Sequence, residues 1–307
     1  MKGLSKWVFL VASGCLLALT FSAAGGSSST NNGQIVFVRQ LCDSSRHCHT
    51  QVALVNPDGS GLRVLTSRRV HVASPRWSPD QREIAYVRTA WPPQVWLMAA
   101  DGTHQRALRL TGLRQGIWSV GLPSLDWSPN GRQIVLAAIP SRNGGASQLY
   151  LVNVRSGTTK LLLGEAIGTY SGDDNPVWSP DGRWIAFVRH GRSVPDQIFL
   201  LSIATGGVSQ LTQDPTYACG EPTWSPDSRR IAFAGHGGIW VMNRDGSSLR
   251  HLAGAGADPS WSPDGKWIVF ASSIRPEERL AEIRPNGSGR HAITTFPQGS
   301  RGIQLDW

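Results

Sequence analysis

Trp178-Ser179-Pro180-Asp181-Gly182, followed by Arg183-Trp184-Ile185-Ala186-Phe187-Val188, is one copy of a tract that runs through the whole chain. The other copies begin at Trp77, Trp127, Trp224 and Trp261, and a sixth is represented by Trp307 alone. The spacing from one Trp to the next is 37 to 51 residues. A period of this size marks one supersecondary unit copied several times. Each tract reads as a tight polar turn that leads into a β-rich run such as Ile84 to Val87 or Ile231 to Ala234. A second apolar run follows and ends in a turn pair: Asp58-Gly59, Asp101-Gly102, Ser156-Gly157, Thr205-Gly206, Asp245-Gly246 or Asn286-Gly287. A last short strand follows each pair, at Val64 to Thr66, Leu108 to Thr111, Leu161 to Leu163, Gln210 to Thr212, His251-Leu252 and Ala292 to Thr294.

Four strands per repeat predict an all-β chain folded as a six-bladed β-propeller, each small sheet burying its faces on two neighbours. The first unit, from Gln34 to Val38 onward, lacks an opening strand, and Ile303 to Trp307 is an opening strand with nothing after it. The two fragments complete each other. The C-terminal strand is therefore expected to close the ring beside the N-terminal ones and to hide the sheet edges that an open array exposes.

These repeats resemble the TolB-like β-propellers, whose unit has the form Trp-Ser-Pro-Asp-Gly, Ile-Ala-Phe, then a strand ending in Asn-x-Asp-Gly. The resemblance covers residues 33–307, with no counterpart of the α/β domain that precedes the propeller of periplasmic TolB. It speaks to fold more than to activity. Some TolB-like propellers are lyases on uronate polymers that use a metal held by channel histidines. That resemblance supplies the alternative reading of a carbohydrate-active enzyme with a divalent cation at the channel mouth.

Lys2 and Lys6, the apolar stretch from Trp7 to Phe21 and the small residues Ser22 to Gly26 describe an export signal over residues 1–24, with a flexible linker over 25–32. The expected location is the periplasm, cell surface or exterior, with no transmembrane domain in the mature form. Cys15, after Ala12-Ser13-Gly14, is the alternative of a lipid anchor. In an oxidising compartment Cys42 and Cys48 suit a local disulfide. Three adjacent residues, His47, Cys48 and His49, do not converge readily on one tetrahedral ion with Cys42. The net charge of +9 is spread over all repeats with no Lys/Arg block, so nucleic acid is not an expected partner. A protein, a peptide or an anionic envelope polymer is, and the chain is expected to be a monomer.

Two sets of residues stand out once the repeats are aligned. Three positions before each Trp stand Ser74, Ser124, Asn175, Glu221, Asp258 and Gln304, all polar. They form a candidate ring around the central channel, able to hold water, a cation or an amine. At the end of the strand after the turn stand Arg39, Arg88 and Arg189, with His190 beside the third. Three such guanidinium groups could grip a carboxylate or phosphate, or could be strand ends. Both sets are expected on the face of the variable loops, Arg39 to Thr50, Arg88 to Pro93, Ala138 to Ser147, Arg189 to Asp196, Gly235 to Gly238 and Ser272 to Arg279. The repeated Trp and Asp are read as structural. No Gly-x-Ser-x-Gly elbow, phosphate-binding glycine motif or His-Glu-x-x-His pair is present. The expected function is thus an exported, non-enzymatic propeller that needs no cofactor and binds on its variable-loop face.

Overall fold

The computed structural model describes residues 33–42, 47–90, 92–113, 124–139, 146–164, 170–214, 217–272, 279–295 and 300–307. The expected export signal, linker and Cys15 lie outside them, as do parts of four variable loops.

Six four-stranded antiparallel sheets make up the described chain, and among the described residues there is no helix, so none is long and apolar enough to cross a membrane. Blade I contains β1 (Ile35–Cys42), β2 (Cys48–Val55) and β3 (Arg63–Val64). Blade II is β4 (Val72–Trp77), β5 (Glu83–Arg88), β6 (Gln94–Ala99) and β7 (Arg106–Ala107). Blade III is β8 (Leu125–Trp127), β9 (Gln133–Ala138), β10 (Gln148–Asn153) and β11 (Thr159–Leu163). Blade IV is β12 (Tyr170–Trp178), β13 (Trp184–Gly191), β14 (Gln197–Ser202) and β15 (Val208–Gln210). Blade V is β16 (Gly220–Trp224), β17 (Arg230–Gly235), β18 (Gly238–Asn243) and β19 (Arg250–Gly254). Blade VI is β20 (Gly256–Trp261), β21 (Ile268–Ser272), β22 (Arg279–Ile283) and β23 (His291–Thr295).

The last strand, β24 (Ser300–Asp306), pairs antiparallel with β1, Val36 opposite Asp306, and becomes the inner strand of blade I. The ring closes as the two incomplete repeats require. Inner strands touch in the order β24, β4, β8, β12, β16, β20 and back to β24.

What holds the blades together follows from the second strand of each. Successive side chains on a strand point to opposite faces. Phe37, Tyr86, Leu136, Phe187, Phe233 and Phe270 occupy one offset, are at most 2% exposed, and each packs on the preceding blade. The residue before each of them, Val36, Ala85, Val135, Ala186, Ala232 or Val269, packs on the following blade. Every junction thus sets a large side chain against a small one, and there are six apolar layers for six junctions. Full burial of each large side chain contributes about 1.5–3 kcal/mol.

The Trp-Ser-Pro-Asp-Gly turns repeat one hydrogen-bond set. Ser78 Oγ donates to Asp80 Oδ1 (2.7 Å), which also accepts from Arg82 N–H, while Glu83 N–H returns to Ser78 Oγ (2.9 Å). The same set recurs around Ser128, Ser179, Ser225 and Ser262. The Ser78 hydroxyl and then the Arg82 amide hold the Asp80 carboxyl below the usual carboxylate range. The residue after the Asp or Asn takes a positive φ, which explains Gly131, Gly182 and Gly265, although Gln81 and Ser228 adopt it too.

The outer strands begin one to two residues before the expected positions, β3 at Arg63 and β7 at Arg106 for example. The residues expected there end the strands by a different bond. Thr66 Oγ1 accepts from Val52 N–H and Thr212 Oγ1 from Ile198 N–H, both at 2.9 Å, so a hydroxyl takes over from the ladder. Cys42 and Cys48 face each other across β1 and β2 and are joined by a disulfide.

Candidate functional site

The inner strands enclose a central cavity of about 490 Å³. Its wall is layered by sequence offset from the repeated Trp. Three residues before the Trp lie Ser74, Asn175, Glu221, Asp258 and Gln304, which the structure brings to one cavity. Buried Ser124, at the same offset in blade III, joins the layer through its bond to Asn175. Beyond them come the residue before each Trp, the Trp itself, and the prolines of the Trp-Ser-Pro turns.

The first layer has an unusual backbone. Ser74, Asn175, Glu221, Asp258 and Gln304 all sit at φ between 47° and 54°. Four of them precede a proline, and each marks a register shift in its inner strand or beside it. The left-handed region costs a non-glycine residue about 1–3 kcal/mol and persists only when surrounding contacts enforce it. Here the enforcing contacts run between blades. Ser74 N–H donates to Gln304 Oε1 (2.8 Å), Asn175 N–H to Ser124 Oγ (2.9 Å) and Asp258 N–H to Glu221 Oε2 (2.5 Å). In each, the side chain of one blade accepts the bulge N–H of the next.

The residues directly before the Trp repeat this device. Trp77 N–H donates to Asp306 Oδ2 and Trp178 N–H to Asp126 Oδ2, both at 2.7 Å, and Trp307 N–H donates to Ser260 Oγ (3.1 Å). Arg76 holds this offset in blade II, between Asp306 of blade I and Asp126 of blade III. Burial pushes the Asp126 carboxyl up to about 7, against the pull of the Arg76 charge. Burial raises Asp306 as well, again opposed by Arg76. Glu221 is raised to about 7 by burial and then by the neighbouring Asp258 carboxylate.

Sequence reasoning found the first layer and missed Arg76, Asp126 and Asp306 in the second. A signal was present, since three of the six residues before the Trp are charged, but Val177, Thr223 and Ser260 at the same offset carry no common chemistry. The repeated Trp residues, expected to be structural, also form the wall of the cavity toward the Trp-Ser-Pro turns, together with the prolines of those turns.

Arg39, Arg88 and Arg189 are not among the residues lining the cavity. Each stands two residues beyond Phe37, Tyr86 or Phe187 and so shares their side of the strand, facing the preceding blade. Arg189 forms a two-pronged ion pair with Asp173, which is fully buried (Nε to Oδ1 2.7 Å, Nη2 to Oδ2 3.0 Å). Arg88 lies over the Trp96 ring at 3.3 Å and donates to Gln105 Oε1 (3.0 Å). Arg39 belongs to β1 opposite Gln51, its Nε buried without a partner among the described residues. The three arginines therefore stand in three different blades, and the partners of Arg88 and Arg189 belong to the arginine's own blade. His190 Nδ1 bonds Asp196 Oδ2 (2.9 Å) and its Nε2 lies 3.8 Å from Asp174 Oδ2. The Asp174 bond and then the Asp196 carboxylate lift its pKa to about 9 against the effect of burial.

Among the described residues no three His, Cys, Asp or Glu side chains gather as a metal-binding group. Asp126, Glu221 and Asp306 each accept one backbone N–H bond through one carboxyl oxygen, and the Arg76 cation shares the space.

With the fold and cavity defined, the relationship to known proteins is direct. The TolB beta propeller domain family matches residues 21–301, and the chain belongs to that family. It is similar in fold to TolB from Acinetobacter baumannii, with 22% identity and a TM-score of 0.72 over 90% of this chain and 66% of that one. An oligogalacturonate lyase from Vibrio parahaemolyticus is similar at 14% identity and a TM-score of 0.54, over 87% of this chain and 74% of that one. A dipeptidyl-peptidase 5 of Porphyromonas endodontalis is 33% identical over 126 residues, 40% of this chain and 17% of that protein. The match thus spans less than a fifth of the peptidase.

Proposed function

We propose that the chain is an exported binding propeller whose partner, a protein or peptide, inserts a segment into the central cavity. The observation that carries this reading is the cavity itself. It is walled by Trp and Pro and carries one guanidinium and four carboxyl groups, Arg76, Asp126, Glu221, Asp258 and Asp306. Its size falls within the range of about 300–1,000 Å³ common to ligand pockets, and apolar walls with a few fixed polar groups are the usual composition of such sites. This moves the expected binding surface from the variable loops to the inner strands and the Trp-Ser-Pro turns. Membership of the TolB family supports a binding role and export.

A photo-crosslinking residue at Gln81, which is exposed and lines the cavity, tests the reading against the same residue at exposed Leu249. A partner captured in the cell envelope from position 81 and not from 249 is the expected result. Capture from 249 alone, or from neither, would contradict it.

A second reading, a lyase on acidic sugars, draws support from Asp126 and Glu221, whose pKa values near 7 suit proton transfer at neutral pH. Purified protein that leaves oligogalacturonate unchanged would remove this alternative.

A further inference from the structure

We infer that the central cavity is built for a short zwitterionic peptide, its anionic end held at Arg76 and its ammonium at Glu221 and Asp258. The inference rests on the cavity being the binding site and adds the chemistry of what enters it.

The ring order sets the geometry. Blades follow one another as β24, β4, β8, β12, β16, β20, so blade II with Arg76 stands diametrically across the channel from blade V with Glu221. On its own wall Arg76 spends one nitrogen, Nη1, on the carbonyl oxygens of Pro75 (2.9 Å) and Leu305 (3.4 Å). Among the described residues no carboxylate lies within 4.0 Å of its guanidinium. A guanidinium has five N–H donors in a fork that matches a carboxylate, so capacity remains on this wall. Opposite, Glu221 uses Oε2 on the Asp258 amide, and a carboxylate has a second oxygen to offer.

The combination selects against ligands of one sign. An anion alone would meet Arg76 but also Glu221, Asp258, Asp126 and Asp306 in the same enclosure. A cation alone would gain the carboxyl pair while facing the guanidinium. A molecule with opposite charges at its two ends satisfies both walls, and uncharged Val177 and Trp178 of blade IV line the cavity on the arc between them.

Calorimetric titration with trialanine, N-acetyl-trialanine and trialanine amide tests the inference. In the wild type the unblocked peptide should bind, and either block should weaken binding about tenfold, the loss of one charge-assisted hydrogen-bond pair. Glu221→Gln keeps an acceptor for the Asp258 amide and should erase the penalty of acetylation only. Arg76→Gln should erase the penalty of amidation only, and Arg76→Lys should restore part of it. Trialanine that does not bind, or blocked forms that bind as well as the free one, would overturn the inference. Crosslinking from Gln81 reads the cavity independently. A partner captured there by a protein that ignores trialanine would leave the channel reading standing and the zwitterion inference refuted.

Discussion

Trp77 and Asp306, 229 residues apart, meet where the last strand of the chain abuts its second blade: the Trp77 amide donates to Asp306 Oδ2 at 2.7 Å. Asp126 makes the equivalent bond to Trp178. Asp306→Ala leaves the Trp77 amide without its partner at the seam that closes the ring. It should cost about 1–3 kcal/mol in urea unfolding. Asp306→Asn keeps an acceptor and should cost less.

Arg189 and Asp173 tie neighbouring strands of blade IV together. Removing the guanidinium strands a carboxylate with no solvent exposure, so Arg189→Ala should destabilise by about 3–5 kcal/mol. The double change Arg189→Met with Asp173→Asn should be milder than Arg189→Ala alone. Chemical denaturation of the three proteins decides this, and a single variant as stable as the wild type would show the pair to be dispensable.

The pH dependence of stability has a definite sign. Asp126 and Glu221 have folded pKa values raised to about 7, and His190 to about 9. A group whose pKa is raised on folding contributes stability that is complete below its unfolded pKa and lost as pH rises through the folded value. For the carboxyls that loss runs from about pH 4 to 7, and for His190 from about 6.5 to 9. The melting temperature should therefore fall from pH 5.5 to pH 9. Asp126→Asn and Glu221→Gln should flatten the lower part of the curve and leave the part above pH 7.5 unchanged.

Reducing the Cys42–Cys48 bond should have a modest effect, because the loop it closes is short, with a sequence separation of 6. The chain-entropy relation gives about 2 kcal/mol. Cys42→Ser with Cys48→Ser should lower stability by that amount and leave the affinity of a channel ligand unaltered.

The blade count and the closure by β24 were legible because the tract starting at each Trp repeats in order, and a strand without partners at one end of the chain matched a gap at the other. The first channel layer was legible for a related reason: Ser74, Ser124, Asn175, Glu221, Asp258 and Gln304 are all polar at one offset. The second layer was hidden because its members do different jobs. Asp126 and Asp306 accept a Trp amide from the next blade, while Val177 at the same offset packs against blade V. The arginines illustrate a different limit. Aligning Arg39, Arg88 and Arg189 gives their height along the strand, but period two leaves open which neighbouring blade each side of the strand meets. Tyr86, buried against blade I, fixes that side for Arg88.

The central claim, that the partner enters the channel rather than resting on the variable-loop rim, is tested most directly by the affinity of the partner crosslinked at Gln81 for three proteins. These are the wild type, the channel double variant Arg76→Gln with Glu221→Gln, and the rim variant Arg88→Ala. The channel variant should bind at least about tenfold more weakly and the rim variant as the wild type does. Loss of binding in the rim variant with the channel variant unaffected would contradict the account.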